Sequence, residues 1–353
     1  MEGRLRDEGA AVTVVVGGDA RQRFHDARGY GRPLDGNRIA LAPVEAAHLL
    51  FRGDLDAVAA GADRLGFRDL LVRTGVVLEF VVYKDLRDRG FYLSPAREDW
   101  DAGDASGADF VVYPRGKGPG DGAVAHRIRV LGEREPVPMA SLGEVALAVV
   151  DEEGELTYLE TTHATAGAEG DGTGDAAGRS PLPDAVEASL LADRALVWDP
   201  PADLHESAFY GQRLAGRNAE EGPLQASLVE AAYLARHGAL ALDEADVVER
   251  GRAVEGERFD RRLTAYGALR DAGAVPKSGF KFGADFRVYD GFESVDGMGH
   301  SDRLVRVVEP DHEAVPRDLS LDVRLAGGVR KRMVFALTAA GSVRWLSVAR
   351  LTP

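Results

Sequence analysis

The sequence predicts an α+β protein formed by a tandem duplication. Four short motifs occur twice, in the same order and with nearly constant spacing. Each copy mixes strand-like runs with helical periodicity, and a stretch rich in glycine, aspartate and alanine separates the two copies. These observations indicate that each repeat has a small leading α/β subdomain, followed by a subdomain built on a mixed sheet.

The repeated motifs set the limits of the two copies. The matching pairs are PVEAAHLL (43–50) with LVEAAYL (228–234), YKDLRDRG (83–90) with YGALRDAG (266–273), GADFVVY (107–113) with GADFRVY (283–289), and VVDEEGELTYLE (149–160) with LTAAGSVRWLSV (337–348). We therefore predict an N-terminal repeat over residues 1–163, a flexible linker over 164–183 and a C-terminal repeat over 184–353.

The same elements are predicted in each repeat, in the same order. A strand-like run opens each copy, and a helix follows that carries apolar residues at helical spacing, as in Val44, Ala47 and Leu50. The periodicity predicts further helices over 67–89, 259–272 and 319–329. Short apolar runs predict strands over 12–16, 109–113, 127–131, 145–150, 194–198, 285–289, 303–308 and 333–337.

Composition restricts the class of protein. Hydrophobic residues make up 45% and charged residues 29% of the 353-residue chain, which is typical of soluble globular proteins. No apolar run approaches the ~18 residues of a membrane span, and the N-terminus lacks the apolar core of a secretory signal. We therefore expect a cytoplasmic protein with no membrane contact. The absence of cysteine excludes disulfides and thiolate metal sites.

The charge pattern is acidic overall and cationic near the C-terminus. The net charge is −15, and lysine occurs at five positions: Lys84, Lys117, Lys277, Lys281 and Lys331. Such a composition fits a protein from a salt-loving organism or an ordinary acidic enzyme. It argues against broad non-specific affinity for nucleic acid, but arginines concentrated from Arg317 to Arg350 leave room for a local basic cleft.

Three side chains of the second repeat could carry acid–base chemistry. Tyr289 ends a predicted strand, His300 follows a glycine-rich loop, and Lys331 precedes another predicted strand. An imidazole can donate a proton near neutral pH, and a lysine supplies a compact positive charge. Taken singly, each also fits an ordinary role as a packed aromatic, a solvated loop histidine or a surface charge.

The first repeat carries only part of this set. It keeps Tyr113 and has His126 after another glycine-rich loop, but counting back from the aligned final strands places Glu144 where the second repeat has Lys331. One repeat therefore combines a phenol, an imidazole and an ammonium group, which can cleave RNA without a metal. This difference indicates one catalytic copy and one structural copy.

The segments GFKFGADFRVYD, HSDRLVRVV and VRLAGGVRKRMVFAL resemble the signature of the archaeal tRNA-splicing endonucleases, most specifically over residues 278–336. The tandem arrangement is similar to the homodimeric form of that family, and the resemblance implies that the mixed-sheet subdomain of each repeat is nuclease-like. The resemblance implies an endoribonuclease without metal or other cofactor, acting on precursor tRNA at bulge–helix–bulge sites, with precursor rRNA as a second candidate substrate. It implies that Tyr289 takes the 2′-hydroxyl proton, His300 protonates the leaving 5′-oxygen and Lys331 stabilises the pentavalent transition state. The products would be a 2′,3′-cyclic phosphate and a 5′-hydroxyl.

The resemblance also implies two sets of contacts. Family members hold a flipped base between two arginines, which correspond here to Arg324 and to Arg350, with Arg344 as a close alternative to the latter. An acidic turn of the inactive unit docks in a basic cleft of a partner subunit. That turn corresponds to four residues: Asp151, Glu152, Glu153 and Glu155. Surface ion pairing and a solvated hairpin turn are the ordinary interpretations of the same residues.

Two other functions fit the sequence less well. A protein of the same fold could bind or assemble on RNA without cleaving it, although the complete set in the second repeat argues against this. A metal-dependent nuclease would require clustered carboxylates, for which Asp285 is a candidate without convincing partners.

Overall fold

The structure is a computed structural model that describes the chain except for residues 8–11, 98–99, 101–106, 168–180, 217–218, 291, 293, 298 and 340. Helices and strands are mixed in both halves, as predicted. No helix in the described part of the chain is long and apolar enough to cross a membrane.

Among the described residues, the leading part of the first half combines six short strands with three α-helices and a short π-helix (Arg21–Asp26). The strands are β1 (Glu2–Asp7), β2 (Val12–Val16), β3 (Arg32–Pro33), β4 (Ile39–Leu41), β5 (Ala57–Ala60) and β6 (Asp63–Leu65). The helices are α1 (Pro43–Phe51), α2 (Phe67–Thr74) and α3 (Val77–Asp88). The strands form one sheet in the order β3-β4-β2-β1-β5-β6. Helix α1 is buried along nearly its whole length and packs against this sheet.

The trailing part of the first half adds six strands. These are β7 (Leu93–Pro95), β8 (Phe110–Val112), β9 (His126–Gly132), β10 (Val137–Pro138), β11 (Ala146–Val150) and β12 (Leu156–Ala164).

In the leading part of the second half, the described residues form four strands and four α-helices. They are β13 (Ala188–Leu190), β14 (Arg194–Val197), α4 (Ala202–Glu206), β15 (Gln212–Arg213), β16 (Leu224–Ser227), α5 (Leu228–Arg236), α6 (Glu244–Glu255) and α7 (Glu257–Asp271). Helix α5 begins at a capping box, in which Ser227 Oγ accepts the N–H of Glu230 and the Glu230 carboxylate accepts the N–H of Ser227. This cap directs the Glu230 side chain back into the protein.

The trailing part of the second half repeats the strand pattern of the first. Its elements are β17 (Val275–Ser278), β18 (Phe286–Tyr289), β19 (Arg303–Val308), β20 (Glu313–Ala314), α8 (Pro316–Gly328), β21 (Arg332–Ala339) and β22 (Ser342–Leu351).

One ten-stranded sheet joins the two halves. Its order is β17-β18-β19-β21-β22-β12-β11-β9-β8-β7, so the strands of one half mirror those of the other. The join is the antiparallel pairing of β12 with β22. Helices α3 and α7 contact one face of this sheet. On the other face, apolar side chains from both halves, including those of α8, form a shared core.

The predicted bounds of one helix and of the linker were wrong. The helix predicted over 67–89 is two helices, because α2 ends at Gly75, whose φ of 73° lies in the left-handed region that terminates helices. The predicted linker, 164–183, starts too early, because Ala164 is still paired within β12. Arg303 then donates to the carbonyls of Thr165 and Ala166 at 2.9 and 2.8 Å. Residues 168–180 of that linker lie outside the described residues.

Candidate active site

The sheet register brings the predicted residues to one edge of the sheet. Arg303, the first residue of β19, lies opposite β18 on one side and beside Arg332 of β21 on the other. Tyr289 ends β18, His300 lies just before β19, and Lys331 immediately precedes β21. Three segments that are distant in sequence therefore meet at one end of three neighbouring strands.

Tyr289, His300 and Lys331 line a single cavity of about 850 Å³. Tyr289 is buried, whereas His300 is exposed and Lys331 is partly exposed. The Lys331 ammonium donates to the carbonyl of Ser301 at 2.6 Å and lies 5.6 Å from the centre of the Phe282 ring. Lys331 is thus tied to the residue that follows His300.

The charges around the cavity are mixed, and the Arg287 guanidinium lies 5.8 Å from the centre of the Tyr289 ring. Burial lowers the pKa of Lys331, and the nearby Arg287 lowers it further, against an opposing effect of Asp302. Arg287 lines the same cavity as Lys331. Carboxylates reach the cavity as well, from three residues: Glu206, Glu220 and Asp296.

Asp290 fixes the end of strand β18, directly after Tyr289. Its N–H donates to Asp302 Oδ2 at 2.9 Å. Its carboxylate accepts a hydrogen bond from the buried Arg303 and lies 3.4 Å from Arg332. These contacts connect the residue after Tyr289 to the first residues of β19 and β21, so the backbone on either side of the cavity is held in register.

The first half treats its corresponding tyrosine differently. Tyr113 is 3% exposed, and its hydroxyl donates to Ser94 Oγ at 3.1 Å. Ser94 occupies the register position of Lys277 in the second half. The hydroxyl of Tyr113 is therefore engaged within its own sheet.

Aligning the strands of the two halves changes two of the residue matches that were made from the sequence. His126 is the first residue of β9 and takes the register position of Arg303. The pairing of β9 with β11 places Gly143, rather than Glu144, at the position of Lys331. Counting back from the motif pair 149–160 and 337–348 also gives Gly143, so the assignment of Glu144 was wrong by one residue.

Comparison with known proteins gives the family. A family model described as "tRNA intron endonuclease, catalytic C-terminal domain" matches residues 259–345, and one described as "tRNA intron endonuclease, N-terminal domain" matches residues 1–71 and 186–250. The chain is 65% identical to the tRNA-splicing endonuclease of Haloferax volcanii over 355 residues, covering 100% of both chains. The chain belongs to the tRNA-splicing endonuclease family.

More distant tRNA-splicing endonucleases match over nearly the whole chain too. Identity is 58% over 362 residues with the protein of Halobacterium salinarum, covering 100% of both chains. It is 37% over 365 residues with that of Methanosarcina mazei, covering 96% of each. The relatives from halophilic archaea agree with the acidic, lysine-poor composition.

The two arginines that the family resemblance assigned to RNA lie at a second cavity. Arg324 on α8 and Arg350 on β22 are exposed and line a cavity of about 670 Å³, together with Arg317. Arg344, the alternative to Arg350, donates to the carbonyl of Ala140 at 2.5 Å. That contact joins Arg344 to the first half, so Arg350 is the better candidate for binding a ligand.

The acidic turn of the first half connects β11 with β12. Asp151 Oδ1 accepts the N–H groups of Glu153 and Glu155 at 2.9 and 2.8 Å. Glu152 pairs with Arg134 at 3.0 Å. The side chains of Glu153 and Glu155 are exposed. Asp151 thus shapes the turn, and all three of its glutamates are exposed, Glu152 within an ion pair.

Asp285, the candidate metal ligand, is engaged in the fold. It is 6% exposed, and its carboxylate accepts hydrogen bonds from Arg258 at 2.6 Å and from the N–H of Val307 at 2.9 Å. Arg262 lies 3.2 Å away. Within the described ranges, no three histidine, aspartate or glutamate side chains gather in the manner of a metal site.

Sequence reasoning missed the contribution of the leading part of the second half. His205, Glu206 and Arg213 line the cavity that contains Lys331. The sequence held a signal for one of them, because His25 and His205 each precede a tyrosine by five residues. In the structure, each imidazole donates from Nδ1 to the carbonyl of that tyrosine. Their contact with the cavity depends on how two separate parts pack, which local sequence patterns do not report.

Proposed function

We propose that this protein is an endoribonuclease that excises introns from precursor tRNA, with precursor rRNA as a second candidate substrate. The observation that carries the proposal is the convergence of Tyr289, His300 and Lys331 on one cavity. Membership of the tRNA-splicing endonuclease family supplies the substrate class. The proposed target is a bulge–helix–bulge structure.

The residue types suit a transesterification in which RNA supplies its own nucleophile. Acting as a phenolate, Tyr289 accepts the proton of the ribose 2′-hydroxyl and becomes a neutral phenol, while the 2′-oxygen attacks the adjacent phosphorus. His300 donates a proton to the 5′-oxygen as its bond to phosphorus breaks. Lys331 stabilises the extra negative charge that exists only in the transition state. The proposed products are a 2′,3′-cyclic phosphate and a 5′-hydroxyl, formed without a metal ion.

The two halves have different proposed roles. We infer that they arose by duplication, because the strand order of one mirrors that of the other and the N-terminal family model matches both. Residues 1–163 serve as the structural copy and residues 184–353 as the catalytic copy. Two chains form a homodimer through the acidic turn with Glu153 and Glu155, and Arg324 and Arg350 hold a bulged base.

The test is cleavage of a synthetic bulge–helix–bulge RNA by purified protein in excess EDTA. We expect cuts at the bulges and cyclic phosphate ends, and we expect Tyr289→Phe to lose most of the cleavage rate while still binding the RNA. A requirement for added Mg²⁺ would contradict the metal-free mechanism. Full cleavage by Tyr289→Phe would remove the assignment of the base.

The same assay separates the second candidate function. A protein of this fold that only binds RNA would retain the bulge–helix–bulge substrate without producing new ends. The partial exposure of Lys331 at the cavity favours cleavage, because the ammonium group is accessible to a bound phosphate.

A further inference from the structure

We propose that Phe209 is a positioning residue that holds the ring of Tyr289 in its reactive orientation. Phe209 belongs to the leading part of the second half, whereas Tyr289 ends strand β18 in the trailing part. The inference rests on the proposed function and extends it, because it makes the catalytic geometry depend on contact between the two parts.

The backbone of Phe209 is strained. Its φ is 51°, in the left-handed region that bulky residues rarely adopt. Gly29 occupies the same turn in the first half with φ of 66°. The N–H of Phe209 donates to the carbonyl of His205 at 3.0 Å, and that of Gly29 donates to His25 at 2.7 Å. The turn therefore suits glycine, and a residue with a side chain is strained there.

The phenyl ring of Phe209 packs against the proposed base. It is 2% exposed, and its centre lies 6.0 Å from that of Tyr289 at a tilt of 59°. It also stacks on Phe292 at 5.2 Å, and Phe292 meets Tyr289 edge-on at 6.3 Å. Two phenyl rings that contact each other thus both contact the Tyr289 ring.

The same region anchors the segment that leads to His300. The N–H of Val295 donates to the carbonyl of Glu206 at the end of α4, at 2.9 Å. Val295 also packs against the aromatic cluster of Phe209 and Tyr289. The leading part consequently contacts both the proposed base and the chain segment before the proposed acid.

A buried lysine fixes the position of Phe209. The Lys277 ammonium donates to the carbonyls of Phe209 and Gly211 at 3.1 and 3.0 Å and to Glu230 at 2.6 Å. It also lies 4.7 Å from the centre of the Phe209 ring. Because Lys277 is on strand β17, which pairs with the strand of Tyr289, this contact fixes the ring relative to the catalytic sheet.

The first half retains the shared scaffold and lacks these two additions. Arg87 donates to the carbonyl of Arg28 at 2.9 Å, as Arg270 donates to Ala208 at 2.8 Å. The positions of Phe209 and Lys277 hold Gly29 and Ser94 there. The strained Phe209 backbone and the buried Lys277 thus occur in the half whose tyrosine, Tyr289, lines the cavity. Strain that the fold does not require, next to reacting groups, indicates a functional role.

The experiment compares Phe209→Leu with Phe259→Leu, which makes the same change at a buried phenylalanine of α7. Phe259 is 0% exposed and packs in the core of the same half. Single-turnover cleavage of bulge–helix–bulge RNA at saturating protein, RNA affinity and melting temperature are measured for each. We expect Phe209→Leu to slow cleavage on the order of 10- to 100-fold, with affinity within about twofold of the native protein. Phe259→Leu should lower the melting temperature with cleavage within about twofold.

A second variant, Phe209→Gly, provides the test if Phe209→Leu folds poorly, because Gly29 shows that the turn accepts glycine. It should relieve the backbone strain and still cleave slowly, since the ring is absent. Equal cleavage rates for Phe209→Leu and Phe259→Leu, or native cleavage by Phe209→Gly, would overturn the inference. If the native protein itself does not cleave, the proposed function fails instead.

Discussion

Replacing Lys277 with serine, the residue of the first half, should make stability strongly pH-dependent. In the second half, burial raises the pKa of Glu230, but contacts with Lys277 and hydrogen bonds outweigh burial, so that the pKa is lowered. Glu45 is the matching carboxylate of the first half and accepts the N–H groups of Gly31 and Ala42. Burial raises the pKa of Glu45 to about 7, against an ordinary value of 4.5.

Glu45 of the first half therefore gives the size of the expected change in stability. Without Lys277, Glu230 should ionise near pH 7 as Glu45 does, a pKa change of about 2.5 from its ordinary value, or about 3 kcal/mol. A carboxyl whose pKa is raised in the folded state stabilises the fold below its ordinary pKa, and that stability is lost as the pH rises through about 7. Lys277→Ser should thus lose about 2.5 kcal/mol more at pH 8 than at pH 5, because part of the loss has already occurred at pH 5.

The assay is equilibrium unfolding in urea at pH 5 and pH 8, at a fixed high salt concentration. Lys84→Ser is the matched control, because Lys84 forms an exposed pair with Asp88. Salt screens that surface pair more strongly than the buried one. A loss of stability by Lys277→Ser that is equal at both pH values, or larger at pH 5, would refute the reasoning.

Three further predictions concern the first half and the proposed contacts. Glu45→Gln should flatten the fall in melting temperature between pH 5 and pH 8, as measured by calorimetry; an unchanged slope would show that Glu45 does not titrate there. Joint replacement of Glu153 and Glu155 by glutamine should weaken self-association in sedimentation experiments, and an unaltered dimer would dismiss the acidic turn as the contact. Arg324→Gln and Arg350→Gln should each weaken RNA binding about tenfold in fluorescence anisotropy, with cleavage at saturation nearly unchanged; native affinity would contradict the assignment.

The sequence predicted those parts of the fold that depend on local pattern. Repeated motifs and alternating apolar residues located most of the strands of the ten-stranded sheet, and the register of those strands explains why Tyr289 and Lys331 share a cavity. The end of helix α2 at Gly75 could not be predicted, because one glycine within a helical pattern does not reveal its φ. The position that matches Lys331 could have been found, because the motif pair 149–160 and 337–348 gives Gly143 when it is counted correctly.

The contribution of the leading part to the cavity could not be predicted for a different reason. Phe209 reaches Tyr289 through packing between parts that are far apart in sequence, and its strain is visible only in the backbone angle. The sequence shows that Lys277 is one of five lysines, but its burial against Glu230 follows from tertiary structure alone. Comparing the two halves position by position reveals both residues once the strands are aligned.

The most direct test of the central claim uses RNA in which sulfur replaces the 5′-oxygen at the cleavage site. A thiolate leaves without protonation near neutral pH, because thiols ionise near pH ~8.5. His300→Ala should cleave ordinary RNA at least on the order of 100-fold more slowly than the native protein. It should cleave the sulfur substrate at nearly the native rate, whereas Lys331→Ala should remain slow on both. Equal impairment of His300→Ala on the two substrates would contradict the assignment of acid and charge stabiliser around one linkage.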